Sequence, residues 1–239
     1  MWTTNGTQSD WMCLLANTGD AAKLGSHRNK SLICLPMHLP GITITKVIDK
    51  LGMRSSDTAQ IHFDGVRVPV SNLIGDLNQG FTYQMIQFQE ERLYVAATVI
   101  KAMELCIDQT VAYTSQRKIF DSCILDQQVV HYKLAEMATE IESLRSLIYR
   151  ATEMYVNGED ATYLASMCKL KAGRLARFVT DGALQFWGGM GFTNEVVVSR
   201  MYRDHRLTSI GGGSDETMMS IIAKMKGWLP SKKKIHGRK

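Results

Sequence analysis

Two stretches carry side chains whose types and spacing allow chemistry. The first is Gln87-Phe88-Gln89-Glu90-Glu91-Arg92-Leu93-Tyr94-Val95-Ala96-Ala97. It places a carboxylate, Glu91, directly before a guanidinium, Arg92. Neighbours one position apart do not share a helix face, so each has a separate reason to be there. By itself Glu91 reads either as a proton acceptor or as an exposed or arginine-paired helix carboxylate. The second stretch is Ile210-Gly211-Gly212-Gly213-Ser214-Asp215-Glu216. Its glycines expose backbone N–H groups ahead of a helix, with Ser214 as N-cap and Asp215 and Glu216 in the first turn. Such a backbone can hold an anion or a carbonyl oxygen, or it is a plain interhelical turn. We expect the two stretches to meet, the first supplying a proton acceptor that the second lacks.

Other candidates have structural readings of equal weight. Gly188-Gly189-Met190-Gly191 is neither a dinucleotide fingerprint nor a Walker loop, and it follows a helix rather than a strand, so it reads as a helix stop. Arg117-Lys118 reads as a solvated helix end, and Trp2 and Trp187 as packing residues.

The elements that must position these residues fall into two regions. Residues 1–78 are β-rich. Asp10–Asn17, Ser31–Leu35, Ile42–Val47 and Ala59–Phe63 read as strands, and Val66–Val70 as a further one across a tight Asp64-Gly65 turn. A strand-like run from the first residue leads us to expect a preceding segment. Proline is absent from 71 to 229. Because proline costs ~3 kcal/mol inside a helix, long helices are expected there. They read as about 79–115, 126–156, 159–187 and 195–206, with a last helix from Ser214 to before Pro230. Leu134, Met137, Ile141, Leu144 and Ile148 form one stripe at three- and four-residue spacing. Three long helices with short breaks imply an antiparallel bundle. The fold class is therefore α+β, a partial antiparallel β-domain over 1–78 followed by a helical bundle over 79–229, then a basic tail over 230–239.

Composition excludes several classes. With 45% hydrophobic and 21% charged residues among 239, the chain is ordinary for a globular protein. The net charge of +5 is concentrated at the end, Lys232-Lys233-Lys234-Ile235-His236-Gly237-Arg238-Lys239, which reads as a solvated tail rather than a nucleic-acid or lipid site. The five cysteines have no CxxC pair and the six histidines are scattered. Neither a disulfide framework nor a metal site is expected, and a reducing compartment is. No run approaches the ~20 apolar residues of a membrane span.

The order of several motifs resembles the acyl-CoA dehydrogenases across nearly the whole chain. Met1-Trp2-Thr3-Thr4-Asn5-Gly6, Lys50–Thr58 and Phe63–Pro69 are similar to that family's middle β-domain. Glu91-Arg92, Gln116–Phe120, Gln128, Leu134–Met137, Gln185–Phe192 and Arg203-Asp204 are similar to its C-terminal helical domain. The resemblance implies FAD as cofactor and an acyl-CoA thioester as substrate. It implies α,β-dehydrogenation to a trans-2-enoyl-CoA, in which a carboxylate takes the α-proton and a hydride leaves the β-carbon for the flavin. Hydrogen bonds to the thioester oxygen must stabilise the developing enolate.

In most members the base is the glutamate of a Tyr-Glu-Gly-Thr segment, and Gly212 occupies its place here. Long-chain and isovaleryl-type members instead place the base directly before the arginine, where Glu91 stands. The resemblance thus implies Glu91 as catalytic base, with Gly212 contributing only its N–H. That placement goes with longer or branched acyl chains.

It further implies that Gln89, Glu90, Arg92, Gly212 and Gly213 contact substrate. Trp2, Thr3, Thr4, Ser214, Asp215 and Glu216 would contact FAD. Arg117, Lys118, Ile119, Gln127, Gln128, Gln185, Phe186, Trp187, Gly188 and Gly189 would hold a neighbouring subunit's FAD. A homodimer or homotetramer through the bundle follows, with electron-transfer flavoprotein as acceptor and the mitochondrial matrix as compartment, peroxisome and cytosol remaining open.

Asp121 stands where the family usually has glycine, and Ser214 replaces a threonine. The family's N-terminal helical domain and the first half of its β-domain have no counterpart. An alternative is therefore a catalytically silent chain that associates through its bundle, and another a flavin oxidase or monooxygenase on the same scaffold.

Overall fold

In the computed structural model, which describes residues 1–229, the chain forms two compact units, Met1–Phe88 and the remainder from Gln89. The basic tail expected over 230–239 lies outside the described residues.

The first unit is built from β1 (Thr3–Thr4), β2 (Trp11–Asn17), a short α1 (Ala21–Leu24), β3 (Lys30–Pro36), β4 (Ile42–Val47), β5 (Thr58–Phe63) and β6 (Leu73–Ile74). They make two three-stranded antiparallel sheets, ordered β1-β5-β4 and β2-β3-β6. Leu35 and Ala59 are almost wholly buried, and Leu32 and Ile61 are buried as well. The loop after β1 is held by Asp57. Its carboxylate accepts from the Thr7 amide and hydroxyl, both at 2.7 Å, and from Gln8 at 2.9 Å. These bonds favour the ionised form and hold the Asp57 carboxyl below its ordinary range.

One expected strand is absent. Val66–Val70 forms no ladder, so Asp64-Gly65 closes no hairpin. The Asp64 amide instead bonds the Gly41 carbonyl at 2.9 Å, continuing the pairing of β5 with β4. Pro69 lacks the N–H a ladder needs. The chain then makes a 3-10 turn over Val70–Asn72 and pairs β6 with β3.

The second unit is a helical bundle. Its first helix, α2 (Gly80–Gln116), starts in the first unit at a glycine. A Cβ at Gly80 would lie 2.5 Å from the Leu32 amide nitrogen, so no larger residue fits. A two-residue hairpin, β7 (Lys118–Ile119) and β8 (Ser122–Cys123), leads to α3 (Gln128–Val156). Both hairpin turn residues, Phe120 (φ 47°) and Asp121 (φ 65°), are left-handed, as the favoured mirror-image turn requires. Aspartate tolerates that conformation better than most residues, so the position expected to be glycine by resemblance can carry Asp121.

Helix α3 ends at Asn157 and Gly158 (φ 76°), and α4 (Thr162–Gly191) follows after a short link. The predicted stripe Leu134, Met137, Ile141, Leu144 and Ile148 is buried in full. It packs with Leu93, Ala96, Val99, Ile100 and Met103 of α2 and with the small residues of α4. Each large apolar side chain so buried contributes ~1.5–3 kcal/mol. The expected helix stop at Gly188 is a kink instead. Gly188 has φ 55° and ψ −136°, and the helix resumes to Gly191. The bundle closes with α5 (Val197–Asp204), a 3-10 turn over His205–Ser209, and α6 (Asp215–Met225). Among the described residues no helix is long and apolar enough to cross a membrane.

Candidate active site

Arg92 lies in the first half of α2 with 6% of its surface exposed. Burial pushes its guanidinium down, and the adjacent Glu91 carboxylate pushes it back up. Glu91 itself is half-buried. On the facing part of α4 stands Lys169, with no exposed surface at all. Its ammonium donates to the Gly213 carbonyl. Burial lowers the Lys169 pKa, Asp215 and Glu216 raise it, and the positive charge of Arg92 lowers it. The Glu91-Arg92 pair and the glycine loop therefore share one electrostatic neighbourhood through Lys169.

The loop itself is shaped by glycine. Gly212 has φ 65° and Gly213 φ 106°, left-handed conformations that other residues seldom adopt. The Ile210 and Gly211 amides bond the Leu207 carbonyl at 2.8 and 2.9 Å. Among the described residues the Gly212 and Gly213 amides have no hydrogen-bond partner. A Cβ at Gly212 would project into open space, so the position is accessible. Helix α6 then begins as expected, the Ser214 hydroxyl accepting from the Thr217 amide at 3.3 Å. Glu216, in the first turn, has its carboxyl held low first by its own backbone N–H and then by the Ser214 hydroxyl. Asp215 is otherwise engaged. Only 6% exposed, it accepts from Arg177 Nη2 at 3.1 Å and lies 3.7 Å from Arg174 Nε.

Of the remaining residues expected to contact substrate, Gln89 is half-buried and Glu90 exposed. Glu90 accepts a 3.2 Å hydrogen bond from the Tyr155 hydroxyl, and its charge is the main cause raising the Tyr155 pKa.

A second cluster gathers where α2 ends. Trp187 stacks on Tyr113 at 4.1 Å and 7°, and its Nε1 donates to Thr110 Oγ1 at 3.1 Å. Gln185, Phe186, Trp187, Gly188 and Gly189 are thereby fixed near the end of α2 that leads into Arg117, Lys118 and Ile119. The Ile124 amide bonds the Arg117 carbonyl at 2.9 Å, and Gln127 donates to Ser122 at 2.9 Å, which ties the hairpin to the start of α3. Gln128 is exposed and donates to the Tyr132 hydroxyl at 2.6 Å. Arg117 and Lys118 are exposed and make no ion pair among the described residues. Gly188 and Gly189 are exposed and have no atom within 4 Å of a Cβ position. Two unpaired cations beside open glycine backbone suit a phosphate-bearing group, so this cluster fits the FAD that the resemblance implies. Trp2, Thr3 and Thr4 belong to the first unit, where Trp2 is 68% exposed at φ 65° and Thr3 and Thr4 form β1.

One apolar cleft takes in none of the residues expected to bind substrate or FAD. It has a volume of about 850 Å³, lies against α3, α4 and α6, and is lined by Leu147, Met167, Leu170, Phe178, Met219 and Trp228 among others.

Sequence reading missed Lys169. One signal was present. Lys169 falls on the stripe Ala165, Cys168, Ala172, Ala176, where a charged side chain is out of place.

The fold is shared with known proteins. The family model described as acyl-CoA dehydrogenase, C-terminal domain, matches residues 78–226. Cyclohexane-1-carbonyl-CoA dehydrogenase of Geobacter metallireducens is 35% identical over 223 residues, which cover 93% of this chain and 58% of that protein. The mitochondrial short-chain specific acyl-CoA dehydrogenase of Bos taurus is 33% identical, covering 93% and 53%. The structure of butyryl-CoA dehydrogenase from Megasphaera elsdenii superposes with a TM-score of 0.89 at 31% identity, over 95% of this chain and 58% of that one. The chain thus spans little more than half the length of these relatives. It belongs to the acyl-CoA dehydrogenase family.

Proposed function

We propose that the chain serves flavin-dependent α,β-dehydrogenation of an acyl-CoA thioester to a trans-2-enoyl-CoA, with Glu91 as the base. The observation that carries this reading is the Gly212 amide. It has no partner among the described residues, and its loop is bonded through Lys169 into the neighbourhood of Arg92, beside which Glu91 stands. An N–H donor and a carboxylate are the two groups that enolate formation requires. The Gly212 N–H donates to the thioester oxygen and stabilises the charge that develops there. The Glu91 carboxylate takes the α-proton. Gly212 has no side chain to do so, which makes a carboxylate elsewhere necessary. Gln89, Glu90 and Arg92 are assigned to the substrate with Gly213.

For FAD, Arg117, Lys118, Ile119, Gln127, Gln128 and the Gln185–Gly189 segment would hold the pyrophosphate and adenosine. Ser214 and Glu216 would contact FAD near the start of α6, while the Asp215 carboxylate is committed to Arg177. Trp2, Thr3 and Thr4 keep the flavin-contacting role that the resemblance gives them. The chemistry bound FAD supplies is acceptance of the β-hydrogen with its two electrons.

Association into a homodimer or homotetramer through the bundle would let one subunit's Arg117 cluster serve another's cofactor, and the apolar cleft on α3, α4 and α6 leaves bundle surface for it. Placement of the base before Arg92 favours longer or branched acyl chains. Electron-transfer flavoprotein is the proposed acceptor. The mitochondrial matrix is the proposed compartment, supported by mitochondrial relatives, although bacterial ones match equally well.

The test is to mix the 239-residue chain with FAD, gel-filter it and record the visible spectrum. A flavin band co-eluting with a dimer or tetramer, bleached by acyl-CoA without oxygen, supports the reading. A flavin-free chain contradicts it for this chain and leaves the silent, bundle-associating alternative.

A further inference from the structure

Lys169 is the largest fully buried side chain among the described residues. Its neighbours along the buried face of α4 are Ala165, Cys168, Ala172 and Ala176, none with exposed surface. An ammonium in such a place loses its hydration and persists only where bonds and charges compensate. Two kinds of compensation are present. Asp215 and Glu216 supply negative charge, and the Gly213 carbonyl accepts a hydrogen bond from Nζ. A leucine or methionine would fill the same volume without that cost, so the charge has a use beyond packing.

The use is visible in how the glycine loop is held. Its start is fixed by the Leu207 carbonyl, which accepts from Ile210 and Gly211, and its end by the Ser214 cap on α6. Between these anchors lie two left-handed glycines whose amides have no hydrogen-bond partner among the described residues. Glycine backbone is the most conformationally free of any residue. Left alone, the Gly212 peptide would rotate about its flanking dihedrals. The Lys169–Gly213 bond is the one side-chain hydrogen bond to the loop's glycines among the described residues.

We propose that Lys169 is a positioning residue, its buried ammonium gripping the Gly213 carbonyl so that the preceding Gly212 amide stays aimed at the thioester oxygen. The functional half of this statement rests on the role given to Gly212 above. The mechanical half stands on the geometry of the chain alone. Lys169 touches no reacting atom. It acts by removing the freedom that two adjacent glycines would otherwise give the donor, so the loop is ordered before substrate arrives.

The test uses the 239-residue chain without flavin, so its failure is distinct from failure of the dehydrogenase reading. Backbone ¹⁵N order parameters of Gly212 and Gly213 are measured in the native chain and in Lys169→Met, which keeps the bulk and removes the ammonium. The clamp predicts about 0.85 for both glycines in the native chain and below about 0.6 in the variant, with α3 unchanged. Equal loop order in the two proteins would overturn the proposal.

If the variant does not fold, the native chain decides. A scalar coupling across the bond from Lys169 Nζ to the Gly213 carbonyl carbon, with slowly exchanging ammonium protons, supports the clamp. Fast-exchanging protons and no coupling refute it.

Discussion

Replacing Gly173 by alanine tests how closely α4 approaches the turn that leads into the glycine loop. Gly173 lies one helical turn beyond Lys169. A Cβ built there would stand 2.8 Å from Ser209 Oγ, 3.1 Å from Ser209 Cα and 3.1 Å from the Thr208 carbonyl oxygen. Two of those three atoms are backbone and cannot swing aside, and Ser209, only 5% exposed, has little room to turn its hydroxyl away. Two effects oppose each other. Alanine in a helix interior is favoured over glycine by ~1 kcal/mol. Overpacking of a close contact costs ~1–3 kcal/mol. The 2.8 Å contact is shorter than real Cβ atoms make and the two backbone contacts at 3.1 Å are tighter than nine in ten of them, so the upper half of that range applies and the variant should lose about 1–2 kcal/mol net. Urea denaturation should show a lower midpoint at unchanged slope, and the melting temperature should fall by about 2–4 °C per kcal/mol for a chain of this size. A gain of ~0.5–1 kcal/mol, as at an uncrowded helix glycine, would refute the close approach.

Three further outcomes are expected. Leu144 has no exposed surface in the bundle core, so Leu144→Ala should cost ~2–5 kcal/mol in the same denaturation assay. Burial pushes the His205 imidazole below the ordinary histidine value of 6.5, with Asp204 opposing more weakly. The folded chain therefore resists protonation while the unfolded chain accepts it. Stability should be level above pH 6.5, fall as pH drops from there to the lowered folded value, and level off below it, and His205→Gln should remove this part of the slope. A side chain at Gly212 meets open space but must take φ 65°, at a cost of roughly 1–2 kcal/mol. Gly212→Glu combined with Glu91→Gln should thus fold and regain part of the flavin reduction lost in Glu91→Gln alone. No recovery would argue against Gly212 facing the substrate.

The sequence was most legible where one residue's neighbours decide its fate. Leu134, Met137, Ile141, Leu144 and Ile148 share one helix face, and all are buried. Ser214 caps α6 because its hydroxyl reaches an amide three residues on. Reading was least sound where partners lie far along the chain. Val66–Val70 has strand-like composition, but the pairing it needed was taken by Gly41 with Asp64. Gly188-Gly189 looked like a stop, and the regular helix does break at Gly188, but a further helical turn follows to Gly191. Asp215 reads as a first-turn carboxylate, and only the fold reveals Arg177 beside it. The link between Glu91-Arg92 and the glycine loop runs through Lys169, which neither stretch announces. Asp121 reads as a departure, and its left-handed turn position gives the departure a physical basis.

The most direct test of the central claim is anaerobic reduction of bound flavin by acyl-CoA, followed at its visible absorbance in the native chain and in Glu91→Gln. The substitution keeps the shape and removes the proton acceptor. The account predicts bleaching by the native protein, and flavin binding with bleaching slowed by at least about 100-fold in the variant, the low end of what a positioned base contributes. Bleaching at the native rate by Glu91→Gln would contradict the assignment of Glu91 as base.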